Sequence, residues 1–116
     1  MTTQSFGKHE RIRKRNDYLT VYQQGARSNS QHFTVIAYKN QVGISRLGVT
    51  VSKKVGDAVQ RNRIKRLLRE FFRLNKSRFS TPQDIVIIAK KDASSLTYQA
   101  VCRELEGLLI KKPDVS

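Results

Sequence analysis

Residues 61–72, RNRIKRLLREFF, hold five Arg or Lys side chains, five large apolar ones, an asparagine between two arginines, and one glutamate. The chemistry open to such a set is charge pairing. Guanidinium groups present forked N–H donors that match phosphate oxygens, and their planes stack on nucleobases. Bond-breaking chemistry asks for other groups, and the chain offers no paired carboxylates and no nucleophile–base constellation. His9 and His32 stand far apart with no cysteine or carboxylate cluster beside them, so no protein-made metal site is expected. The single cysteine, Cys102, falls among apolar neighbours as a small buried hydrophobe does.

The net charge is +14 in 116 residues, and it is unevenly placed. Between positions 53 and 78 stand Lys53, Lys54, Arg61, Arg63, Lys65, Arg66, Arg69, Arg73, Lys76 and Arg78 against Asp57 and Glu70, a surplus of eight. Positions 1–30 hold six basic and two acidic residues, whereas 79–116 hold five of each and are neutral. Solubility alone does not require this asymmetry, since acidic residues serve it better. Self-repulsion on this scale also destabilises a compact chain unless a polyanion relieves it. A membrane-spanning helix needs about 20 apolar residues, and the longest apolar run, Ile85-Val86-Ile87-Ile88-Ala89, is far shorter. The opening stretch MTTQSFGKHERIRKRN has no apolar core, so no secretory signal is expected in it. One cysteine permits no internal disulfide, which fits a reducing, cytoplasmic setting.

The scaffold around these residues can be read coarsely. Residues 16–24 form a short helix with Tyr18, Val21 and Tyr22 on one side and Gly25 at its end. HFTVIAY (32–38) and RLGVTVS (46–52) read as strands, and the polar KNQVGIS between them as a hairpin connection. The continuous apolar run DIVIIAK (84–90) marks a strand central in its sheet or covered on both faces. TYQAVCRELEGLLIKK (97–112) keeps Tyr98, Val101, Cys102, Leu105, Leu108 and Leu109 on one helical face. The chain reads as one domain over 1–116, with residues 1–9 and 112–116 expected to be loose.

The helix carrying the basic motif begins after Asp57, with Gln60 three residues on, an Asp form of the capping box. At about 100° per residue, Ile64, Leu67, Leu68, Phe71 and Phe72 gather on one face. Asn62, Arg63, Lys65, Arg66, Arg69 and Arg73 spread over the other, and Arg61 falls near the apolar edge. Arg61–Lys65, Lys65–Arg69 and Arg69–Arg73 are successive i,i+4 like-charge pairs, each costing a few tenths of a kcal/mol unless phosphates lie against them. A DNA-reading helix would carry several uncharged base-reading side chains, and only Asn62 is of that kind. Dense arginine suits backbone contact instead. A ribosomal or general RNA-chaperone protein shares the charge and size and remains the alternative.

SRLGVTVSKKVGDAVQRNRIKRLLREFFR (45–73), followed by DIVIIAK, resembles the protein subunit of bacterial ribonuclease P. That family runs a strand into a Lys-Lys-x-Gly loop and then into a helix bearing Arg-Asn-Arg and Lys-Arg. The likeness includes RNDYLTVYQQG (15–25), with aromatic residues on the first helix, and extends over roughly residues 10–111. It implies an α+β fold, a two-layer sandwich in the order αβββαβα. The sheet would be mixed and four-stranded, with a first short strand near 26–29 and a left-handed βαβ crossover through the basic helix.

The resemblance also implies a role. The protein would bind a large catalytic RNA and the 5′ leader of precursor tRNA. The RNA and the Mg²⁺ it holds would then remove the leader, in a ribonucleoprotein endoribonuclease whose protein chain is not the catalytic component. Lys53, Lys54, Arg61, Asn62, Arg63, Lys65, Arg66 and Arg69 would meet the catalytic RNA. Tyr18, Tyr22 and Phe33, with the outward side of the sheet and bordered by Lys90, would form the leader cleft. Tyrosine stands here where the family often has phenylalanine, and stacking survives that change. Without the resemblance, Tyr18 and Tyr22 read rather as core partners of Val21. No protein partner is implied.

Overall fold

The computed structural model describes residues 7–79 and 81–110. The elements follow the order α1 (Arg15–Gln24), β1 (Ala26–Asn29), β2 (Phe33–Lys39), β3 (Arg46–Thr50), α2 (Ala58–Asn75), β4 (Gln83–Ala89) and α3 (Tyr98–Leu109), with short 3-10 turns between them. This is the expected αβββαβα series, and β1 falls at 26–29. Of the ends expected to be loose, 1–6 and 112–116 lie outside the described residues. Lys8–Glu10 is a 3-10 turn.

The sheet order is β1-β2-β4-β3, with β3 parallel to β4 and the other pairs antiparallel. The hairpin is therefore β1–β2, with Ala26 opposite Ala37 and Asn29 opposite Thr34, not β2–β3 as the strand spacing suggested. The reason lies in β4. Its Ile85, Val86 and Ile87 are fully buried, so this strand takes the centre and separates β2 from β3. The connection 40–45 bridges about 10 Å over the end of β4, two strand spacings. Asn40 ties it down, donating from Nδ2 to Ile44 O (2.9 Å) and Asp84 Oδ1 (2.7 Å).

Alternation along the strands builds two cores on opposite faces. Phe33, Val35, Leu47, Ile85 and Ile87 meet Ile64, Leu68, Phe71 and Phe72 of α2 and Val101 and Leu105 of α3. Ile36 and Val86 meet Val21 of α1 and Ile12, with Tyr18, Tyr38 and Ile88 packed around them. The α2/α3 layer thus covers one face, and α1 lies over part of the other. Gly25 ends α1 in extended backbone, not in the left-handed turn typical of such glycines. It is needed for close approach, since a Cβ there would lie 2.6 Å from Val21 O and 2.7 Å from Ile36 Cγ2.

Candidate nucleic-acid interface

Helix α2 is set by its cap and its packing. Asp57 Oδ1 accepts from Gln60 N and Gln60 Oε1 accepts from Asp57 N, both at 2.9 Å, which completes the capping box. With Ile64, Leu68, Phe71 and Phe72 in the core, the polar face is held outward. Asn62, Arg66, Arg69, Glu70 and Arg73 line an open groove of about 360 Å³. Glu70, the one acidic group on this face, is neutralised within it. Arg73 donates from Nε (3.1 Å) and Nη2 (2.7 Å) to its carboxylate, and these bonds hold the Glu70 pKa below the ordinary range. Lys53 and Lys54 stand exposed on the 3-10 turn just before α2, and Lys65 is half-buried.

Two expected contacts are differently placed within this face. Arg63 donates from Nη1 to Ser94 O (3.1 Å) and from Nη2 to Leu96 O (2.7 Å), so its guanidinium fastens the segment leading into α3. Arg61 is half-buried, as its position near the apolar edge anticipated, and its Nε is buried with no hydrogen-bond partner among the described residues.

The aromatic pair lies on the other face of the sheet. Tyr18 and Tyr22 have ring centroids 6.2 Å apart with planes tilted by 32°. Tyr22 is 37% exposed. Tyr18 is half-buried and its ring lies on Gly48, where a Cβ would come within 2.6–2.8 Å of it. Burial, followed by Tyr22, raises the Tyr18 hydroxyl pKa against the opposing pull of Arg69. The hydroxyl therefore stays protonated at neutral pH. Beside the area covered by α1, Thr34, Ile88 and Thr50 stand in register across three strands and are only half-buried. The sequence pointed to the outward side of the sheet but not to these residues, because strand alternation identifies them only once the face covered by α1 is known.

Phe33 is not part of that face. It is fully buried against α2 and α3, because its parity in β2 matches Val35, so it cannot stack a base and is removed from the cleft. Lys90 follows β4 and is half-buried. Its Nζ donates to Ser30 O (2.6 Å) and its backbone N to His32 O (2.8 Å), so it closes the β1–β2 turn.

At the outer edge of β3 the two faces meet. The N-terminal segment runs beside that strand, with Arg11 bridged to Leu47 and Ile12 N donating to Leu47 O (2.9 Å). Arg11, Tyr18 and Arg69 then share one small cavity of about 90 Å³ with Ile12, Leu47 and Val49. Burial first, and Arg11 second, hold the Arg69 pKa below that of an ordinary arginine, though it remains charged. Among the described residues no group of three or more His, Cys, Asp or Glu side chains converges to hold a metal ion. No helix of the described chain is long and apolar enough to cross a membrane.

The arrangement has close counterparts. The model of the family described as Ribonuclease P matches residues 6–112. The chain is 61% identical over 106 residues to a protein of Syntrophus aciditrophicus (strain SB) named ribonuclease P protein component, covering 91% of this chain and 89% of that one. Its structure is similar to that of the RNase P protein from Thermotoga maritima, with a TM-score of 0.79, 36% identity, and coverage of 90% and 99%. The RNase P protein of Staphylococcus aureus is likewise similar, with a TM-score of 0.78, 37% identity, and coverage of 84% and 90%.

Proposed function

This chain belongs to the ribonuclease P protein family, and on that premise we propose a division of labour between its two surfaces. As a component of a tRNA-processing ribonucleoprotein, it pairs with ribonuclease P RNA. The α2 face and the turn before it grip that RNA through Lys53, Lys54, Arg61, Asn62, Lys65, Arg66 and Arg69. Arg63 supports the same face from the rim. Tyr22, with Tyr18 beneath it, holds the single-stranded 5′ leader of precursor tRNA by stacking, worth about 1–3 kcal/mol per base. The RNA, with the Mg²⁺ assigned to it, supplies the endonucleolytic hydrolysis in the cytoplasm. The chain acts as one domain over 1–116 and requires no further protein partner.

One observation carries this reading. A single helix buries Ile64, Leu68, Phe71 and Phe72 completely while turning Asn62, Arg66, Arg69 and Arg73 into one open groove. Such a face can take up a phosphate backbone without disturbing the core. Together with family membership, this favours a processing subunit over a general RNA chaperone.

The test is reconstitution. Protein treated with micrococcal nuclease, then freed of that nuclease, should leave precursor tRNA intact. Addition of ribonuclease P RNA should restore cleavage at the mature 5′ end, at lower Mg²⁺ than the RNA needs alone. Site-specific cleavage by the RNA-free protein would overturn the reading.

A further inference from the structure

Arg13 and Lys14 have no part in either surface described above, yet the fold gathers them with Arg11 into a third place. His9, Arg11, Arg13 and Lys14, from the segment leading into α1, line a cleft of about 470 Å³ together with Asp17, Val42, Ile44 and Arg46. Arg46 is neutralised from within. It donates to Asp84 from Nε (2.8 Å) and Nη2 (2.6 Å), and its Nη1 lies 3.4 Å from Asp17 Oδ2. These bonds to Asp84 are the main reason its pKa is raised. Arg13 and Lys14 are different. Both are exposed, and neither side chain has an ion-pair or hydrogen-bond partner among the described residues. Val42, 55% exposed on the connection between β2 and β3, adds an apolar wall. Cations beside an apolar wall suit a nucleotide chain, with phosphates on the former and a sugar or base on the latter.

The position of this cleft selects its occupant. Arg11 lines both this cleft and the small cavity that holds Tyr18 and Arg69. Lys14 precedes Tyr18 by one helical turn. The N-terminal cleft therefore adjoins the aromatic face at Arg11, and a strand stacked on Tyr22 and Tyr18 would pass Arg11 to reach it. We propose that Arg13 and Lys14 bind backbone phosphates of the precursor tRNA leader, in nucleotides adjoining those stacked on Tyr18 and Tyr22. This rests on the assignment of the leader to that aromatic pair.

The experiment uses holoenzyme reconstituted with ribonuclease P RNA and precursor tRNAs whose leaders are lengthened one nucleotide at a time. With unaltered protein, affinity should rise in two stages, first as the leader reaches Tyr22 and Tyr18 and again as it reaches the N-terminal cleft. The variant Arg13→Ala/Lys14→Ala should lose the second stage and keep the first. Its affinity for mature tRNA and for the catalytic RNA should be unchanged. For the longest leaders the log–log salt slope should flatten by about 1.4, two phosphates at about 0.7 each for a single strand. Tyr22→Ala should instead lose the first stage. A second stage that survives in the double variant overturns the inference and leaves the aromatic assignment standing. Equal weakening for every leader and for mature tRNA also overturns it, and moves these cations to the catalytic RNA or the tRNA body. If Tyr22→Ala changes no leader-dependent step, the aromatic assignment fails, and the inference that rests on it falls too.

Discussion

At the scale of single residues, burial separates side chains that composition treats alike. Phe33 and Tyr22 are both aromatic residues near the sheet, yet Phe33 is fully buried and Tyr22 is 37% exposed. Phe33→Ala should destabilise the domain by about 3–5 kcal/mol in chemical denaturation, the usual cost of emptying a core phenylalanine site. Tyr22→Ala should leave the midpoint nearly unchanged. Arg63 and Arg66 form a second such pair. Arg63 bonds Ser94 O and Leu96 O, whereas Arg66 lines the open groove. Arg63→Ala should therefore cost about 1 kcal/mol of stability, the net worth of exposed hydrogen bonds. Arg66→Ala should cost little stability but lower the salt slope of binding to the catalytic RNA by about one unit. A lower melt for Arg66→Ala with unchanged RNA binding would mean that the helix face is assigned backwards.

At the scale of elements, the β1–β2 turn is tied to α3 through one carboxylate. Glu104 accepts from His32 N (2.6 Å) and Ser30 Oγ, and its Oε1 lies 2.9 Å from His32 Nδ1. Burial alone would raise its pKa, but the bonds from Ser30 and His32 outweigh that and hold it below the usual glutamate value near 4.5. A carboxylate depressed in this way stabilises the fold above its unfolded pKa and loses that contribution as pH falls through the folded value. The thermal midpoint should accordingly drop below about pH 4.5, and Glu104→Gln should flatten that acid limb while lowering the plateau. An unchanged limb in the variant would place the acid sensitivity elsewhere, with Glu10 and its partner Lys76 the next to test. Elements whose signal is local were legible in the chain. The Asp57–Gln60 box, the two-sided α2 and the apolar β4 all follow from neighbouring residues. Strand order did not, because a short polar connection is equally compatible with a hairpin and with a bridge over an intervening strand. Only the burial of β4 on both faces decides between them. The same limit misplaced Phe33, whose face depends on which side of the sheet α1 covers. For that reason too, the outward side of the sheet could not be narrowed to Thr34, Ile88 and Thr50.

At the scale of the whole molecule, the sheet keeps two chemistries apart and the edge of β3 joins them. Cationic α2 packs on one face and the aromatic side of α1 lies over the other, with Arg11, Tyr18 and Arg69 sharing a cavity where they meet. Separate faces predict separable defects. The most direct measurement is a crossed comparison of Arg66→Ala and Tyr22→Ala, reading two quantities in each: affinity for ribonuclease P RNA, and the ratio of precursor to mature tRNA affinity in the assembled holoenzyme. Arg66→Ala should weaken the first and leave the second intact. Tyr22→Ala should leave the first intact and reduce the second by about five- to 150-fold, the loss of one stacked base. If both variants change both quantities in parallel, the two faces do not divide the RNAs between them, and the account is wrong at its centre.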